Sequence, residues 1–290
     1  MTLKEKLTTG TLILDGGMGT QLMARGASGN NERWGAEHRD DLVEIHRAYL
    51  GAGAHAITTN TFGGTRIKLE KAGLGDRTVE LNTTLAGIAR EAVGDSAWVL
   101  GDVGPTGDFL QPYGLLTEEQ MIAVFSEQIE ALVAGGIDGV IIETMMDPNE
   151  AACAIKAAKR VAPALPVLAT MTFDRNPTGF RSMMGTRPGD GAAIMVEAGA
   201  DAVGANCGGI TIREFPELLS EMAAQVDVPL IAQANAGLPE VEDGITIFRE
   251  EPVAFREGVQ ALIDVGAKAI GGCCGTTPPH IAALRETISD

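Results

Sequence analysis

Two of the four cysteines in this sequence are neighbours, in the stretch GGCCGTTPPH at residues 271–280. Cys273 and Cys274 follow an apolar run there, and Cys207 follows another in the stretch GANCG at 204–208. If these runs are strands of one barrel, the three thiols can converge at its mouth and hold a metal. Three thiolates with one open coordination position make a zinc site of the kind that catalysis uses.

Neighbouring side chains on a regular strand point to opposite faces, so the cysteine pair can serve one metal only where the backbone leaves strand geometry. We expect Gly271, Gly272 and Gly275 to supply that freedom. The alternative is that the cysteines are free thiols packed as small hydrophobic groups. Cys153 lies in the helical pattern EAACAIKAAKR and is interpreted as such a packed thiol.

A zinc site with three thiolates predicts a particular class of reaction. The site carries net negative charge and activates water poorly, whereas a substrate thiol is a suitable fourth ligand. A thiol bound to the metal is deprotonated at neutral pH and stays nucleophilic. The expected chemistry is the transfer of an electrophilic group, such as methyl, onto this thiol by direct displacement, with no protein side chain acting as the catalyst.

Acidic side chains and a glycine-rich turn are candidates for holding the rest of a thiol substrate. Asp15 and Glu143 each follow an apolar run and can pair with an ammonium group. Backbone N–H groups of the turn that contains Gly16, Gly17 and Met18 can receive a carboxylate. Asp15 also has a structural interpretation, as a turn residue that opens a helix.

Short apolar runs alternate with helical patterns along the chain, which indicates βα units on a parallel sheet. One pattern recurs four times where a helix leads into the next strand, and its glycine suits a left-handed helix end. A unit that recurs four times with two strands each gives eight strands, so we predict an α/β protein, a single (β/α)8 TIM barrel over residues 1–290. The predicted strands are 11–17, 55–62, 97–104, 139–145, 166–173, 202–208, 229–237 and 269–275, and the repeats are GAHAI (53–57), GIDGV (136–140), GADAV (199–203) and GAKAI (266–270).

Polar residues lie at the end of every predicted strand, which packing alone explains poorly. Active sites of such barrels lie at the carboxyl ends of the strands. Asn60 and Asn235 are therefore candidate substrate contacts, with a helix cap or a tie between loops as the alternative at each. The polar strand-end residues are Asp15, Asn60, Asp102, Glu143, Thr172, Cys207, Asn235 and the pair Cys273–Cys274.

Composition and charge narrow the classes of partner. The formal net charge of −17 disfavours nucleic acid and anionic membranes as partners. No apolar run approaches ~20 residues and the first residues lack the apolar core of a signal peptide, so neither a membrane span nor export is predicted. We expect a cytoplasmic location, where clustered cysteines are more often metal-binding or catalytic than paired in disulfides.

Five stretches of the sequence together resemble the homocysteine S-methyltransferase family, in matching order and across residues 12 to 281. The resemblance implies a (β/α)8 barrel, methyl transfer to homocysteine to give methionine, and one Zn²⁺ per chain held by Cys207 and the cysteine pair. It also implies that Asp15 and Glu143 hold the homocysteine ammonium and that the glycine turn contacts the amino acid. The stretches are LDGGMGT (14–20), TNTFGG (59–64), IIETM (141–145), GANCG (204–208) and GGCCGTTPPHI (271–281).

Members of this family differ in methyl donor, which is methylcobalamin, betaine, S-methylmethionine or S-adenosylmethionine. The GGCCGTTPPHI motif looks most like that of the cobalamin-dependent methionine synthases of the family. Only 16 of the 290 residues follow Cys274, so we expect a separate corrinoid protein to carry methylcobalamin and to dock at the barrel mouth. Loop 104–114, with Phe109 and Tyr113, is the candidate contact, with an ordinary surface loop as the alternative. Loop 174–188 is a second candidate lid, with Met183 and Met184 as core residues as the alternative.

Three other interpretations are open at this point. A Rossmann-type methyltransferase would use LILDGGMGT as a strand followed by a cofactor turn, although a lone glycine-rich turn is a weak signal. The second is a barrel that binds zinc through the three cysteines but has no catalytic activity. The same enzyme could also act on another small thiol or selenol, with betaine or S-methylmethionine as donor.

Overall fold

The computed structural model describes residues 1–242 and 245–288, and eight parallel strands form one sheet at its centre. Seven of these strands lie within their predicted ranges, and the last begins at 267 rather than at 269. The strands are β1 (Leu12–Ile13), β2 (Ala56–Thr58), β3 (Trp98–Val103), β4 (Gly139–Met145), β5 (Val167–Met171), β6 (Ala202–Asn206), β7 (Leu230–Ala234) and β8 (Ala267–Gly272).

The sheet closes on itself. Each strand from β2 to β8 pairs with the next one along the chain, and β8 pairs with β1. Between β1 and β2, the His55 N–H donates to Ile13 O at 2.8 Å, and the Ile13 N–H donates to His55 Nδ1 at 3.1 Å. The predicted (β/α)8 barrel is therefore confirmed, and the open sheet of a Rossmann-type enzyme is excluded.

The fourfold sequence repeat has a structural basis at the amino ends of the strands. Two residues after its glycine, Asp138 Oδ2 accepts a hydrogen bond from Val99 N at 2.7 Å, and Asp201 Oδ2 accepts one from Val167 N at 2.9 Å. His55 occupies the same place in the first repeat, so three of the repeats tie an even-numbered strand to the strand before it. All four repeat glycines have φ between 90° and 109°, a left-handed conformation that costs glycine little: Gly53, Gly136, Gly199 and Gly266.

Helices surround the barrel, and their ends follow local sequence signals. Helix α7 begins with a capping box, in which Thr117 and Gln120 exchange side chain to backbone hydrogen bonds. The helices are α1 (Leu3–Thr9), α2 (Met18–Ala24), α3 (Asn31–Glu37), α4 (Arg39–Gly51), α5 (Arg66–Lys71), α6 (Thr78–Val93), α7 (Glu118–Ala134), α8 (Pro148–Val161), α9 (Pro188–Glu197), α10 (Phe215–Ala223), α11 (Pro252–Glu257), α12 (Val259–Asp264) and α13 (Pro278–Thr287), with a 3₁₀ turn at Gly75–Arg77.

Alternation along the strands divides the barrel interior into an apolar floor and a polar layer above it. Because side chains two residues apart share a face, each floor residue is followed by a residue that faces the same interior one layer higher. The floor contains Leu12, Leu14, Ala56, Leu100, Ile141, Leu168, Ala202, Ile231 and Ala269, closed from below by Leu3 and Leu7 of α1. The polar layer contains Thr58, Asp102, Glu143, Thr170 and Gln233, each two residues after a floor residue, together with Asn206, four residues after Ala202.

Two short hairpins extend the loops beyond the carboxyl ends of the strands. One joins Asp174–Asn176 to Gly179–Arg181 after β5, and the other pairs Glu240–Glu242 with Ile245–Ile247 after β7. In the described part of the chain, no helix combines the length and the apolar character needed to cross a lipid bilayer. The cytoplasmic location stays a prediction.

Candidate metal and substrate site

A cavity of about 540 Å³ lies above the polar layer, at the carboxyl ends of the strands. Asn235 is the one predicted site residue that does not line it. The predicted residues that it brings together are Asp15, Gly16, Gly17, Met18, Asn60, Glu143, Cys207, Cys273 and Cys274. It is also lined by Glu32, Thr58, Lys68, Asp102, Thr144 and Gln233.

The three predicted thiols converge. The sulfur atoms of Cys207, Cys273 and Cys274 all lie within 4.8 Å of one another, and those of Cys207 and Cys274 are 3.9 Å apart. Thiolates at ~2.3 Å from a tetrahedral zinc ion lie ~3.8 Å from each other. The donor set and its spacing therefore fit Zn²⁺, and the side of the cluster that faces the cavity leaves room for a further ligand.

Strand β7 lies between the two segments that carry the thiols and fixes the backbone of both. The Cys207 N–H donates to Gln233 O at 3.0 Å, and the Cys273 N–H donates to Ala234 O at 2.8 Å. Main-chain hydrogen bonds to one strand thus place the backbone of both thiol-bearing segments.

Two local departures from strand geometry aim the thiols. Asn206 faces the barrel interior, so on a regular strand Cys207 would face outward; its φ of 56° turns it back. Such a conformation costs a residue other than glycine ~1–3 kcal/mol. On the other segment, β8 ends at Gly272 before Cys274, and Gly275, with φ of 78°, completes the turn.

The expected role of Gly271 and Gly272 is wrong, because both lie within regular strand β8. A Cβ atom on Gly271 would lie 2.6 Å from Leu14 Cβ and 2.8 Å from Asp15 O. Gly271 therefore lets β8 pack closely against the residues that follow β1, whereas a Cβ atom on Gly272 would lie 2.2 Å from Thr276 Oγ1. Of the three glycines, Gly275 alone supplies the predicted backbone freedom.

The glycine turn after β1 packs against the cysteine segment and is hydrogen-bonded to it. A Cβ atom on Gly17 would lie 2.6 Å from Cys273 O, and the Gly17 N–H donates to Thr276 Oγ1 at 3.0 Å. The Tyr49 hydroxyl donates to Thr276 O at 3.0 Å. The Gly17 N–H is therefore occupied, whereas the Met18 N–H, in the first turn of α2, has no acceptor within the helix.

The thiols share a single negative charge when no cation is present. Hydrogen bonds donated by Cys273 and Cys274 lower the pKa of Cys207 to about 3. The hydrogen bond to Cys207 raises the pKa of Cys274 to about 12 and contributes most to raising that of Cys273. Ionisation of all three thiols needs a compensating cation, which agrees with a metal site.

Asp15 and Glu143 are carboxyl groups with little charge compensation. Burial raises the pKa of Asp15 to about 7, although the Thr58 N–H donates to it at 2.8 Å. Burial, and then the charge of Asp15, raises the pKa of Glu143 to about 8, and Gln233 Nε2 reaches its carboxylate at 3.5 Å. Glu143 keeps some accessible surface, and it lines the cavity. Lys68 is the one Lys or Arg among the described cavity-lining residues.

Asp102 is a further carboxyl group of the cavity, and its role was not assigned from sequence. It is 5% exposed, and its Oδ1 has no hydrogen-bond partner within the described residues. Burial, and then the charge of Glu143, raises the pKa of Asp102 well above its usual range. The alternation of strand residues was the available signal, since Asp102 lies two positions after the floor residue Leu100.

The side chains of Asn60 and Asn235 both donate hydrogen bonds to backbone carbonyl groups of other segments. Asn60 Nδ2 donates to Asn31 O at 2.9 Å, and Asn235 Nδ2 donates to Gly208 O at 3.1 Å. Asn60 lines the cavity as well. A direct part in substrate binding stays a prediction for both.

The candidate lid loops expose apolar side chains but do not line the cavity. Phe109 and Tyr113 in loop 104–114 are exposed, as is Met183 in loop 174–188. Met184 and Tyr113 line a second cleft between these two loops. The arrangement leaves these side chains available to a partner.

Two curated proteins are similar in sequence to this chain. Methionine synthase from Mycobacterium tuberculosis is 29% identical over 307 residues, covering 99% of this chain and 25% of that protein. Methionine synthase from Mycobacterium leprae is 29% identical over 306 residues with the same coverage. The chain therefore spans about a quarter of the length of these curated relatives.

Solved structures share the fold. The metallated form of the homocysteine methyltransferase MmuM from Escherichia coli has a TM-score of 0.78 at 24% identity, and the oxidised form has 0.77 at 25%; each comparison covers 96% of both chains. The family model described as homocysteine S-methyltransferase matches residues 12–288. The chain therefore belongs to the homocysteine S-methyltransferase family, and the predicted enzyme class, a methyltransferase, is confirmed.

Proposed function

We propose that this chain transfers a methyl group onto the thiol of homocysteine to give methionine, with one Zn²⁺ bound by Cys207, Cys273 and Cys274. The observation that carries the proposal is the cavity itself, which joins a cluster of three thiols to carboxyl groups that outnumber the single lysine among its described lining residues. A substrate with a thiol at one end and an ammonium at the other satisfies both.

The protein's contribution is to bind and align the acceptor. Zn²⁺ held by the three thiolates would lower the pKa of a substrate thiol and keep its sulfur nucleophilic at neutral pH. The carboxylates of Asp15 and Glu143 would bind the ammonium, which supplies the positive charge that these acids lack. N–H groups of the turn from Gly16 to Met18 would receive the carboxylate, through Met18 rather than through the occupied Gly17 N–H.

The proposed donor is a methylated corrinoid carried by a separate protein, in keeping with the resemblance of the GGCCGTTPPHI motif. A partner that docks at the cavity mouth would cover apolar side chains that now face solvent. Those on the loops beyond the strands are Phe109, Tyr113, Leu115, Met183 and Leu238, of which Leu115 is 91% exposed.

A small cationic donor, S-methylmethionine or betaine, is the second candidate. It is favoured by the unpaired carboxyl group of Asp102 in a cavity of about 540 Å³, which has room for more than the acceptor. A sulfonium or quaternary ammonium group would balance that charge in the cavity.

Methionine formation from homocysteine with methylcobalamin, betaine and S-methylmethionine in parallel tests these proposals. Turnover with methylcobalamin supports the corrinoid donor, and turnover with either cationic compound alone supports the second candidate. Zinc binding without turnover on any donor would contradict the catalytic proposal. 4-Mercaptobutyrate, which is homocysteine without its amino group, is the matched acceptor, and we expect it to react at least ~10-fold less well because it cannot pair with the carboxylates.

A further inference from the structure

The Asn206 carboxamide makes four polar contacts in the polar layer, and they join three strands. Asn206 is 1% exposed. Its Oδ1 accepts from Thr144 N and from Thr170 Oγ1, each at 2.7 Å. Its Nδ2 donates to Thr144 Oγ1 at 2.7 Å and lies 3.7 Å from Cys273 Sγ. Because the Thr144 N–H can only donate, the oxygen of the amide must face it and the nitrogen must face the sulfur.

The contact with Thr144 occurs at an irregularity in β4. Ile142 pairs with Ala169 of β5 and Met145 pairs with Met171, so two residues of β4 face one residue of β5, which is a β-bulge. The two bulge residues are Glu143 and Thr144. A bulge leaves a backbone group without its ladder partner, and here the Asn206 amide supplies the acceptor.

The backbone is strained at two residues near the Asn206 amide, one in the bulge and one directly after Asn206. Thr144 has φ of 59° and Cys207 has φ of 56°, and they are the two residues other than glycine with positive φ in the described chain. A β-branched residue in this region is an outlier that its surroundings must enforce. Thr144 directly follows Glu143, and Cys207 directly follows Asn206.

We propose that Asn206 is a positioning residue that aims the Glu143 carboxyl and orients the Cys273 thiolate with the same amide group. The inference rests on the proposed function of the site. The Oδ1 end holds the bulge that presents Glu143 to the substrate ammonium, and the Nδ2 end directs an N–H toward the sulfur. Loss of the amide therefore disturbs ammonium binding and the electronic environment of the metal ligands together, although Asn206 itself contacts neither substrate nor metal.

The test uses N206A with T170V as the matched control. T170V removes one hydrogen bond to Asn206 Oδ1 while leaving the contacts with Thr144 and Cys273 in place. In zinc-loaded protein, we expect the homocysteine Kd of N206A, by calorimetry, to rise at least ~10-fold with about one metal per chain retained, whereas that of T170V changes less than ~3-fold. In Co²⁺-loaded protein, the sulfur-to-cobalt charge-transfer band should shift in N206A and stay in place in T170V.

A second variant tests the strained residue if N206A does not fold. T144G removes the side-chain contact and frees the backbone to leave positive φ, so we expect weaker homocysteine binding with no loss of melting temperature. Variants that fold, bind homocysteine within ~3-fold of wild type and keep the wild-type cobalt spectrum would overturn the role of Asn206. A wild-type protein that binds cobalt but no homocysteine would instead overturn the proposed acceptor, and the cobalt spectra would still decide whether Asn206 orients the thiolate.

Discussion

Two arcs of the barrel mouth are built by different physical means. The thiol arc, made of Cys207, Cys273 and Cys274, is fixed by main-chain hydrogen bonds to β7 and by close backbone packing. The acid arc, made of Asp15, Asp102 and Glu143, is fixed by the register of its strands, and its carboxyl groups gain fewer contacts. Among the described residues, Thr58 donates hydrogen bonds to Asp15, Gln233 makes one long contact with Glu143, and Asp102 Oδ1 has no partner.

The difference indicates what each arc lacks before it binds its ligand. The thiol arc has its geometry in place and needs a cation to ionise all three sulfurs. The acid arc holds like charges in a cavity that carries one lysine, so it lowers the stability of the empty protein and gains most when an ammonium enters. Sites that are destabilised in this way are a common cost of function.

The strongest test of the thiol arc is Cys273→Ser, which we expect to lose metal and activity together. Serine is a poor zinc ligand, and even changes outside the ligand set weaken zinc binding by about 10–100-fold, so the loss should exceed ~100-fold. Zinc content by mass spectrometry and methionine formation are the two measurements.

Cys153→Ser is the matched control for this loss. Cys153 is a packed thiol of α8, and burial raises its pKa to about 11. We expect this variant to keep one zinc per chain. A Cys273→Ser protein that stays metal-replete and active would show that the metal does not depend on the thiol arc.

Glu143→Gln tests the acid arc by removing a charge at constant shape. A hydrogen bond to a charged group is worth ~1.5–3 kcal/mol, so the homocysteine Kd should rise ~10–100-fold. Zinc content should stay at one per chain, because the thiol arc is built separately. The exposed Glu197→Gln is the control, and unchanged affinity in Glu143→Gln would contradict the ammonium assignment.

Sequence patterns were sufficient for features that depend on local or repeated signals. The eight strands followed from apolar runs and from the glycine repeat, whose left-handed helix ends recur at all four places. The convergence of Cys207 with the cysteine pair followed from their positions at strand ends, since a closed barrel brings those ends to one mouth.

The features that sequence reasoning missed depend on contacts between distant segments. The bulge at Glu143 and Thr144 is held by Asn206, 62 residues away in the chain. The positive φ of Cys207 has no local signature, because cysteine has no preference for that region. Gly271 is needed for the approach of β1, which a strand pattern within β8 does not reveal.

Unlike the two substitutions above, which weaken binding, Asp102→Asn in the acid arc should stabilise the protein at high pH. The pKa of Asp102 is raised in the folded state, so the unfolded state, with a pKa near ~3.9, releases a proton that the folded state retains. Stability therefore falls as pH rises from ~4 toward the raised pKa, by up to ~1.4 kcal/mol per pH unit. Removing the carboxyl group removes this loss.

The measurement is the melting temperature of Asp102→Asn between pH 5 and pH 8. We expect a gain over wild type that grows with pH and reaches at least ~2 °C at pH 8. The exposed Asp227→Asn should show no such trend. A variant that is less stable at every pH would mean that the Asp102 carboxylate is compensated in the folded protein.

The smallest effect on zinc and substrate binding is expected for Tyr49→Phe, between the glycine turn and the cysteine segment. Tyr49 is fully buried, and loss of its hydroxyl leaves Thr276 O without that donor, at a cost of ~1–3 kcal/mol that lowers the melting temperature by a few degrees. Zinc and homocysteine affinities should stay within ~2-fold, because bonds to β7 hold the thiols. Tyr113→Phe, at the other, exposed tyrosine, is the matched control. A Tyr49→Phe protein that loses zinc would mean that this side chain, rather than the main chain, holds the thiol arc in place.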